Sequence, residues 1–182
     1  MDKFLLHVCC GPCALGAVPA FRAEGLKPVG YYFNPNIHPW REYAQRWDAL
    51  RAASKSLSLP LMPPGRYDYR EYLKQALLTE SRCESCYRIR LLESARKAAE
   101  QDLSSFSTTL LISPYQNREI LIAAGRDAAA QYGLKFLEPD LRPFFHEGRL
   151  AAKNNGIYLQ GYCGCIFSEH ERYGKNGLEQ SR

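Results

Sequence analysis

Short apolar runs alternate with longer amphipathic stretches through most of the chain. Apolar runs at residues 4–8 and 29–33 predict two strands, because runs of this length between turn residues are typical of buried strands. Between them, residues 14–24 carry apolar side chains at helical spacing until Gly25 ends the pattern. The first part of the chain therefore predicts strand, loop, helix and strand.

The same alternation continues toward the C-terminus. We expect further strands at residues 59–62, 106–112 and 134–137, of which 106–112 has the clearest strand pattern. The pattern predicts further helices over residues 40–57, 69–78 and 84–100, and one more that Asn117 would cap and that would end near Gly133. From residue 154 onward the rhythm stops, and we expect an irregular, cysteine-bearing segment that folds over the edge of the sheet.

This order of elements predicts the fold class. Strands joined through helical connections form crossover units, so we expect an α/β protein with a mostly parallel sheet and helices on both faces. Such proteins bind ligands beyond the carboxyl ends of their strands. A length of 182 residues suits one compact domain, and we expect residues 1–182 to form it.

Composition and charge indicate where the protein is located and which partners it binds. No apolar run approaches the roughly 20 residues that span a bilayer, and the start of the chain lacks the long apolar region of a signal peptide. We therefore expect a cytoplasmic protein without a membrane partner. The net charge of +5 favours a polyanionic partner only weakly. In a reducing cytosol, the seven cysteines are expected to be ligands or redox thiols rather than a disulfide framework.

Two pairs of cysteines fall where α/β proteins carry out chemistry. Cys9 and Cys10 follow the first predicted strand, and the turn at Gly11 lets both sulfurs reach one site. Cys83 and Cys86 are three residues apart at a helix start, where free backbone N–H groups stabilise thiolates. Four cysteine ligands suit a structural zinc or a four-iron cluster, and spacing alone does not choose. Adjacent cysteines are poorly suited to a zinc knuckle, and this pair lies at the edge where catalysis is expected, so the cluster is favoured.

The remaining cysteines allow other interpretations. Cys10 and Cys13 have the spacing of a thioredoxin-like active site, which would make the protein a thiol–disulfide oxidoreductase but leaves the other cysteines without roles. Cys163 and Cys165 flank a glycine and are able to form a strained disulfide of the catalytic type. The alternative for this pair is two buried cysteines beside a turn. For the protein as a whole, a zinc-stabilised binding module is a further alternative.

Six sequence blocks carry a resemblance to a known family. They are His7-Val8-Cys9-Cys10-Gly11-Pro12-Cys13; Tyr32-Phe33-Asn34-Pro35-Asn36-Ile37 with Glu42, Tyr43 and Arg46; Cys83 and Cys86 with Tyr87, Arg90 and Leu91; Thr108-Thr109-Leu110-Leu111-Ile112-Ser113-Pro114-Tyr115; Asp140-Leu141-Arg142; and Tyr158, Gln160, Tyr162-Cys163-Gly164-Cys165 and Ser168. Through them the chain closely resembles, nearly end to end, the QueH type of epoxyqueuosine reductase, which works without cobalamin.

The resemblance implies a function and a set of site residues. It implies reduction of epoxyqueuosine to queuosine at the wobble position of tRNA, the last step of queuosine biosynthesis, with electrons from an external donor. The implied [4Fe-4S] cluster ligands are Cys9, Cys10, Cys83 and Cys86, and Cys163 and Cys165 are the implied redox-active pair. A further iron is implied beside the cluster, with Cys13 as a metal ligand.

The resemblance also implies a nucleotide-hydrolase-like fold of the PP-loop, or HUP, type. The glycine-serine phosphate loop of the PP-loop enzymes is replaced here by cysteines, so ATP binding is not expected. Asp140 and His7 are candidate acids near the expected edge, although an ion pair with Arg142 and a core histidine explain them equally well. Unpaired anticodon bases stack on aromatic or arginine planes, and the candidate tRNA contacts are Tyr115, Arg118, Arg142, Tyr158 and Tyr162.

Overall fold

The structure is a computed structural model that describes residues 2–174. Within them lies a four-stranded sheet in the order β2-β1-β3-β4, and all neighbouring strands are parallel. The strands are β1 (Lys3–His7), β2 (Lys27–Tyr31), β3 (Ser105–Thr108) and β4 (Lys135–Phe136). Four of the five residues of β1 are buried, as expected of a strand covered on both faces.

Helices join and cover the strands. They are α1 (Gly11–Ala23), α2 (Trp40–Leu57), α3 (Tyr69–Leu77), α4 (Arg82–Glu100), α5 (Arg118–Gln131), α6 (Phe145–Asn154) and α7 (Ile166–Tyr173), with short 3-10 helices at Thr109–Ile112 and Arg142–Phe144. Helix α1 packs against α2 and α6, and α4 packs against α3 and α5. None of the helices between residues 2 and 174 is both long and apolar enough to cross a membrane.

The order of the strands places helices on both faces of the sheet. The chain leaves β1 through α1 to reach β2 on one side, and it returns across β1 to β3 and then passes through α5 to β4 on the other side. Right-handed crossovers that run in opposite directions put their helices on opposite faces. The predicted α/β fold with a mostly parallel sheet is confirmed.

Two of the predicted strands were wrong in extent. Residues 59–62 contribute only an isolated bridge between Gly30 and Leu61, because Pro60 within the segment and Pro63 after it offer no N–H group to a ladder. The strand expected at 106–112 ends at Thr108, and the apolar residues after it form a 3-10 helix. The Thr108 hydroxyl accepts the Leu110 N–H at 3.1 Å and so closes a turn instead of extending the strand.

The C-terminal region contains more helix than the sequence pattern predicts. The irregular segment covers residues 155–165, and it is enclosed by α6 before it and α7 after it. Cys165 is the N-cap of α7, and its sulfur accepts the Ser168 N–H at 3.4 Å. A cysteine is an unusual cap, which explains why the start of this helix carries no recognisable signal.

Gly11 brings α1 close to α2 just after the cysteine pair. A Cβ atom at this position would lie 2.6 Å from the Ala49 carbonyl oxygen on α2. Because that neighbour is a backbone atom, it cannot rotate away. The glycine that the sequence suggests for a turn is therefore required by a contact between helices.

Candidate cysteine centre at the carboxyl edge of the sheet

Three cysteines meet where β1 passes into α1. Cys9 lies between the two elements, Cys10 is the N-cap of α1, and Cys13 lies in the first helical turn. The three sulfurs all lie within 4.8 Å of one another, and those of Cys9 and Cys10 are 3.7 Å apart. The end of a buried strand and the start of a helix thus fix all three thiols at one place.

Cys9 has the environment of a thiolate. Hydrogen bonds from Cys10 and from Cys13 lower the pKa of the Cys9 thiol well below its usual value, and the positive charge of Arg90 lowers it further. The Thr109 hydroxyl accepts the Cys9 N–H at 3.0 Å and donates to the Cys9 sulfur at 3.3 Å. Burial, by contrast, raises the pKa of Cys10 to about 12.

A buried arginine connects the first cysteine segment with the second. Arg90 on α4 donates through Nη2 to the Asn34 side-chain oxygen at 2.7 Å and through Nη1 to the Cys86 sulfur at 3.7 Å. Asn34 in turn donates to the Val8 carbonyl oxygen at 3.0 Å. A charge that is 2% exposed is thereby held between the two cysteine segments, where it favours thiolates.

The cysteines of α4 differ in exposure. Cys86 is buried, and burial raises its pKa to about 12. Cys83 is exposed, yet partial burial of its sulfur still raises the pKa of the thiol, against the opposing charge of Arg82. Cys163 and Cys165 lie close enough to contribute to this rise. The second and third cysteine segments are therefore neighbours.

A buried ion pair holds the C-terminal cysteine loop. Arg46 on α2 donates to the Cys163 carbonyl oxygen at 2.8 Å and to the Tyr162 carbonyl oxygen at 3.0 Å, and it pairs with Glu42 at 2.7 Å. The Tyr158 hydroxyl donates to the second oxygen of Glu42 at 2.8 Å. The path of this loop is thus fixed by side chains of α2.

Gly164 allows the loop to make this contact. Its φ of +126° belongs to a region that L side chains rarely adopt, and a Cβ atom would lie 3.0 Å from Nη1 of Arg46. Its carbonyl oxygen accepts the His38 N–H at 2.8 Å. The residue between the two cysteines is therefore glycine for both conformational and steric reasons.

The two cysteines of the loop face different surroundings. Cys165 is buried in a small cluster with Cys86 and Tyr72. Cys163 is exposed and lines a cavity of about 650 Å³, and Gln116 donates to its sulfur at 3.7 Å. One thiol is accessible and the other is packed against the cysteine of α4.

The cavity joins the N-terminal and C-terminal cysteines. Its lining includes Cys9, Cys13 and Cys163 together with the buried arginine side chains, Arg46 and Arg90. Gln160 also lines it and donates to the Cys10 sulfur at 2.9 Å, while its buried side-chain oxygen has no hydrogen-bond partner within the described residues. Cysteines that are far apart in sequence therefore border a common space.

The two candidate acids do not face this cavity. His7 is fully buried, accepts from the Thr108 hydroxyl at 2.8 Å and donates to the Phe33 carbonyl oxygen at 3.0 Å. Burial and then the charge of Arg90 lower the pKa of His7 to about 3, so it is a neutral core histidine. Asp140 pairs with Arg142 at 2.6 Å on the surface, and this hydrogen bonding holds the pKa of Asp140 at about 2.

The candidate RNA contacts also separate into different roles. The hydroxyls of Tyr158 and Tyr162 bond to groups inside the protein, a carboxylate and a backbone carbonyl. Arg118 donates to a backbone carbonyl at 2.9 Å. Tyr115 lines the cysteine cavity and is 83% exposed. Of the tyrosine candidates, Tyr115 is thus the one whose ring remains open to a ligand.

Sequence reasoning gave no role to several residues that support the cysteines. Arg46, Arg90, Asn34 and Thr109 lie in the quoted sequence blocks, but the roles of these polar side chains depend on contacts between distant segments. A signal exists for Arg90, because an arginine on the apolar face of an amphipathic helix indicates a buried partner. Phe145, on the unpredicted α6, had no such signal.

The donor set suits a thiophilic metal group. Thiolates are soft ligands that favour zinc and iron–sulfur clusters over magnesium or calcium. Among residues 2–174, the tight group of sulfurs consists of Cys9, Cys10 and Cys13, and the two cysteines of α4 stand outside it. The residues therefore fit a metal group, whereas the four-cysteine ligand set stays a prediction.

Fold and site together define a class: a parallel α/β protein with a cysteine centre at the carboxyl edge of its sheet. The profile described as "Epoxyqueuosine reductase QueH" matches residues 4–171. A curated relative of that name from Dehalococcoides mccartyi is 34% identical over 174 residues, covering 95% of this chain and 96% of the relative. One from Thermotoga maritima is 34% identical over 187 residues, covering 97% and 95%. The chain belongs to the epoxyqueuosine reductase QueH family.

Solved structures show the same fold at low sequence identity. A predicted subunit of tRNA methyltransferase from Methanocaldococcus jannaschii aligns with a TM-score of 0.53 and 13% identity over 83% of this chain and 76% of that one. The U34-tRNA thiolase NcsA from Methanococcus maripaludis, solved with its [4Fe-4S] cluster, aligns with a TM-score of 0.58 and 15% identity over 92% of this chain and 61% of that one. The expected PP-loop-like fold is confirmed, and family membership decides against the thioredoxin-like alternative.

Proposed function

We propose that this protein is an oxidoreductase of tRNA modification that reduces epoxyqueuosine to queuosine at the wobble position. Family membership over nearly the whole chain supports this reaction. The observation that carries the proposal is that Cys9, Cys13 and Cys163 line one cavity, with Cys86 of α4 packed in the same cluster as Cys165. Residues 1–182 act as one domain in this proposal, in the cytoplasm where tRNA is modified.

The cysteines of the first two segments would hold the cofactor. We assign Cys9, Cys10, Cys83 and Cys86 as ligands of a [4Fe-4S] cluster, with Cys13 beside a further iron. When bound, the cluster would supply single electrons and the iron would supply a Lewis acid. The low pKa of Cys9 and the buried charge of Arg90 support a thiolate ligand here.

The thiol pair of the C-terminal loop is able to supply the electrons and protons that the reaction consumes. Reduction of the epoxide to the alkene takes up a pair of electrons and a pair of protons, and the epoxide oxygen leaves as water. Oxidation of Cys163 and Cys165 to a disulfide releases the same number of electrons and protons. An external donor then returns the disulfide to thiols. The exposure of Cys163 at the cavity supports its role as the thiol nearer the substrate.

Other residues of the chain orient these thiols. Arg46 fixes the carbonyl groups of Tyr162 and Cys163, and Gln116 contacts the Cys163 sulfur. Thr109 holds both the amide and the sulfur of Cys9. These contacts would keep both sides of the cavity in place while an unpaired base enters from the mouth.

Anaerobic purification followed by an activity assay tests the proposal. Wild-type protein reconstituted with iron and sulfide should contain both elements and convert epoxyqueuosine to queuosine in tRNA, as measured by mass spectrometry of nucleosides. Protein loaded with zinc serves as the control, because zinc has no redox chemistry. A colourless protein that holds zinc and no labile sulfide would contradict the proposal.

A further inference from the structure

The mouth of the cysteine cavity carries side chains that the proposed chemistry does not use. Tyr115 lies in the loop that follows the 3-10 helix after β3. Phe145, His146 and Arg149 belong to the first turns of α6. All four line the same cavity as Cys9 and Cys163, and we call them the aromatic rim.

The rim side chains contact one another. The rings of Tyr115 and Phe145 meet edge to face with centroids 5.9 Å apart, and those of Phe145 and His146 do so at 5.4 Å. The Arg149 guanidinium lies 5.8 Å from the centroid of the Phe145 ring. Two elements that are distant in sequence thus build one aromatic and basic surface.

Folding does not account for the position of Tyr115. Its side chain is the most exposed among the large hydrophobic residues described, at 83%. Scattered exposed apolar residues are ordinary, but a group of them at the mouth of a cavity indicates a ligand. The edge-to-face contact with Phe145 covers at most one face of the Tyr115 ring, and at 83% exposure the other face is available for stacking.

The charge at the rim suits a polyanion. Arg149 makes no ion pair within residues 2–174, and His146 lies next to it on the exposed surface. The acidic side chain that also lines the cavity, Glu171, is paired with Arg82. The mouth therefore offers a free cation beside exposed rings, which is the combination that binds single-stranded RNA.

We propose that the aromatic rim binds the single-stranded RNA around the modified base, with an unpaired nucleobase stacked on Tyr115 and Arg149 against a neighbouring phosphate. This inference rests on the proposed function, because the rim surrounds the entrance to the cysteines. It places the anticodon loop at the mouth of the cysteine cavity. The exposed patch around Trp40, Tyr69 and Arg70 is the alternative position for the RNA.

Binding of an anticodon stem-loop RNA that carries epoxyqueuosine tests the rim. Tyr115→Ala should raise the Kd by roughly 5- to 150-fold, the range expected for the loss of one stacked base. Tyr115→Phe should retain wild-type affinity, because the ring is kept. Arg149→Gln should weaken binding and lower the slope of log affinity against log salt by about 0.7, as for the loss of one phosphate contact to a single strand. Fluorescence anisotropy measures all three.

Tyr69→Ala is the matched control. Tyr69 is 42% exposed, has Arg70 5.8 Å from its ring centroid and lines a separate cavity without cysteines. This variant should bind the RNA like the wild type. If Tyr115→Ala binds normally, or if Tyr69→Ala is the variant that weakens binding, the rim proposal is overturned.

Activity and iron content separate this proposal from the function on which it rests. Tyr115→Ala should keep the iron content of the wild type, and its loss of activity should appear as a higher KM for the RNA. A wild-type protein that binds the RNA through the rim but never reduces epoxyqueuosine would refute the proposed function and leave the rim standing. If Tyr115→Ala binds the RNA normally and the wild type is active, the rim proposal is refuted and the proposed function stands.

Discussion

The cysteines after β1 and the cysteines of the C-terminal loop are held by different means. The first group lies between a buried strand and a helix: Cys9 follows β1 and is bonded to Thr109, and Cys10 and Cys13 lie at the start of α1. The loop of residues 155–165 has no regular structure and depends on the buried side chain of Arg46. The difference matches the proposed roles, because ligands of a cluster need fixed positions whereas a redox pair must change its bonding.

Removing a sulfur from the first group should have the largest effect. Cys9→Ser should lose bound iron and lower activity by more than about 100-fold, since even changes behind the ligands of a metal cost about 10- to 100-fold. Iron and sulfide analysis, together with nucleoside mass spectrometry, measures both effects. Full iron content in Cys9→Ser would remove the ligand assignment.

Removing a sulfur from the loop should separate iron binding from activity. Cys163→Ser should keep the iron and sulfide content of the wild type and lose turnover, because serine cannot form a disulfide. The same analyses on this variant provide the comparison with Cys9→Ser. Equal loss of iron in both variants would show that the two regions share one role.

The side chain that holds the loop should matter for stability. Arg46→Ala leaves Glu42 buried without its partner and should lower the free energy of unfolding by about 3 to 5 kcal/mol. Arg51→Ala, on the same helix but with an exposed ion pair, should change it by less than about 1 kcal/mol. Urea denaturation measures both. A small effect in Arg46→Ala would mean that the loop is held by other contacts.

The smallest change in stability is expected when Glu42, the partner of Arg46, loses a single hydrogen bond. Tyr158→Phe removes the hydroxyl that donates to Glu42 and should cost about 1 kcal/mol of stability. Iron content should stay that of the wild type, because the first group of cysteines makes no contact with this hydroxyl. A drop in iron would indicate that the two regions are coupled more tightly than their contacts suggest.

Local patterns predicted the first group better than the second. The strand, the turn and the helix around Cys9 follow from apolar spacing and from a glycine-proline pair, and Asn117 caps α5 as expected, accepting the Ile120 N–H at 3.2 Å. The C-terminal loop depends on Arg46, more than 100 residues earlier. Helix α6 is short and contains a glycine, so its formation depends on packing against α1 rather than on its own pattern.

Gly11 also offers a way to change the spacing of the sulfurs without replacing any of them. A methyl group there would press against a carbonyl of α2, and because both partners are backbone the clash would shift α1 relative to α2. Cys10 and Cys13 would travel with α1, whereas Cys9 is tied to Thr109 on the other side. Gly11 therefore sets the distances from the Cys9 sulfur to the sulfurs of Cys10 and Cys13, although it has no reactive side chain of its own.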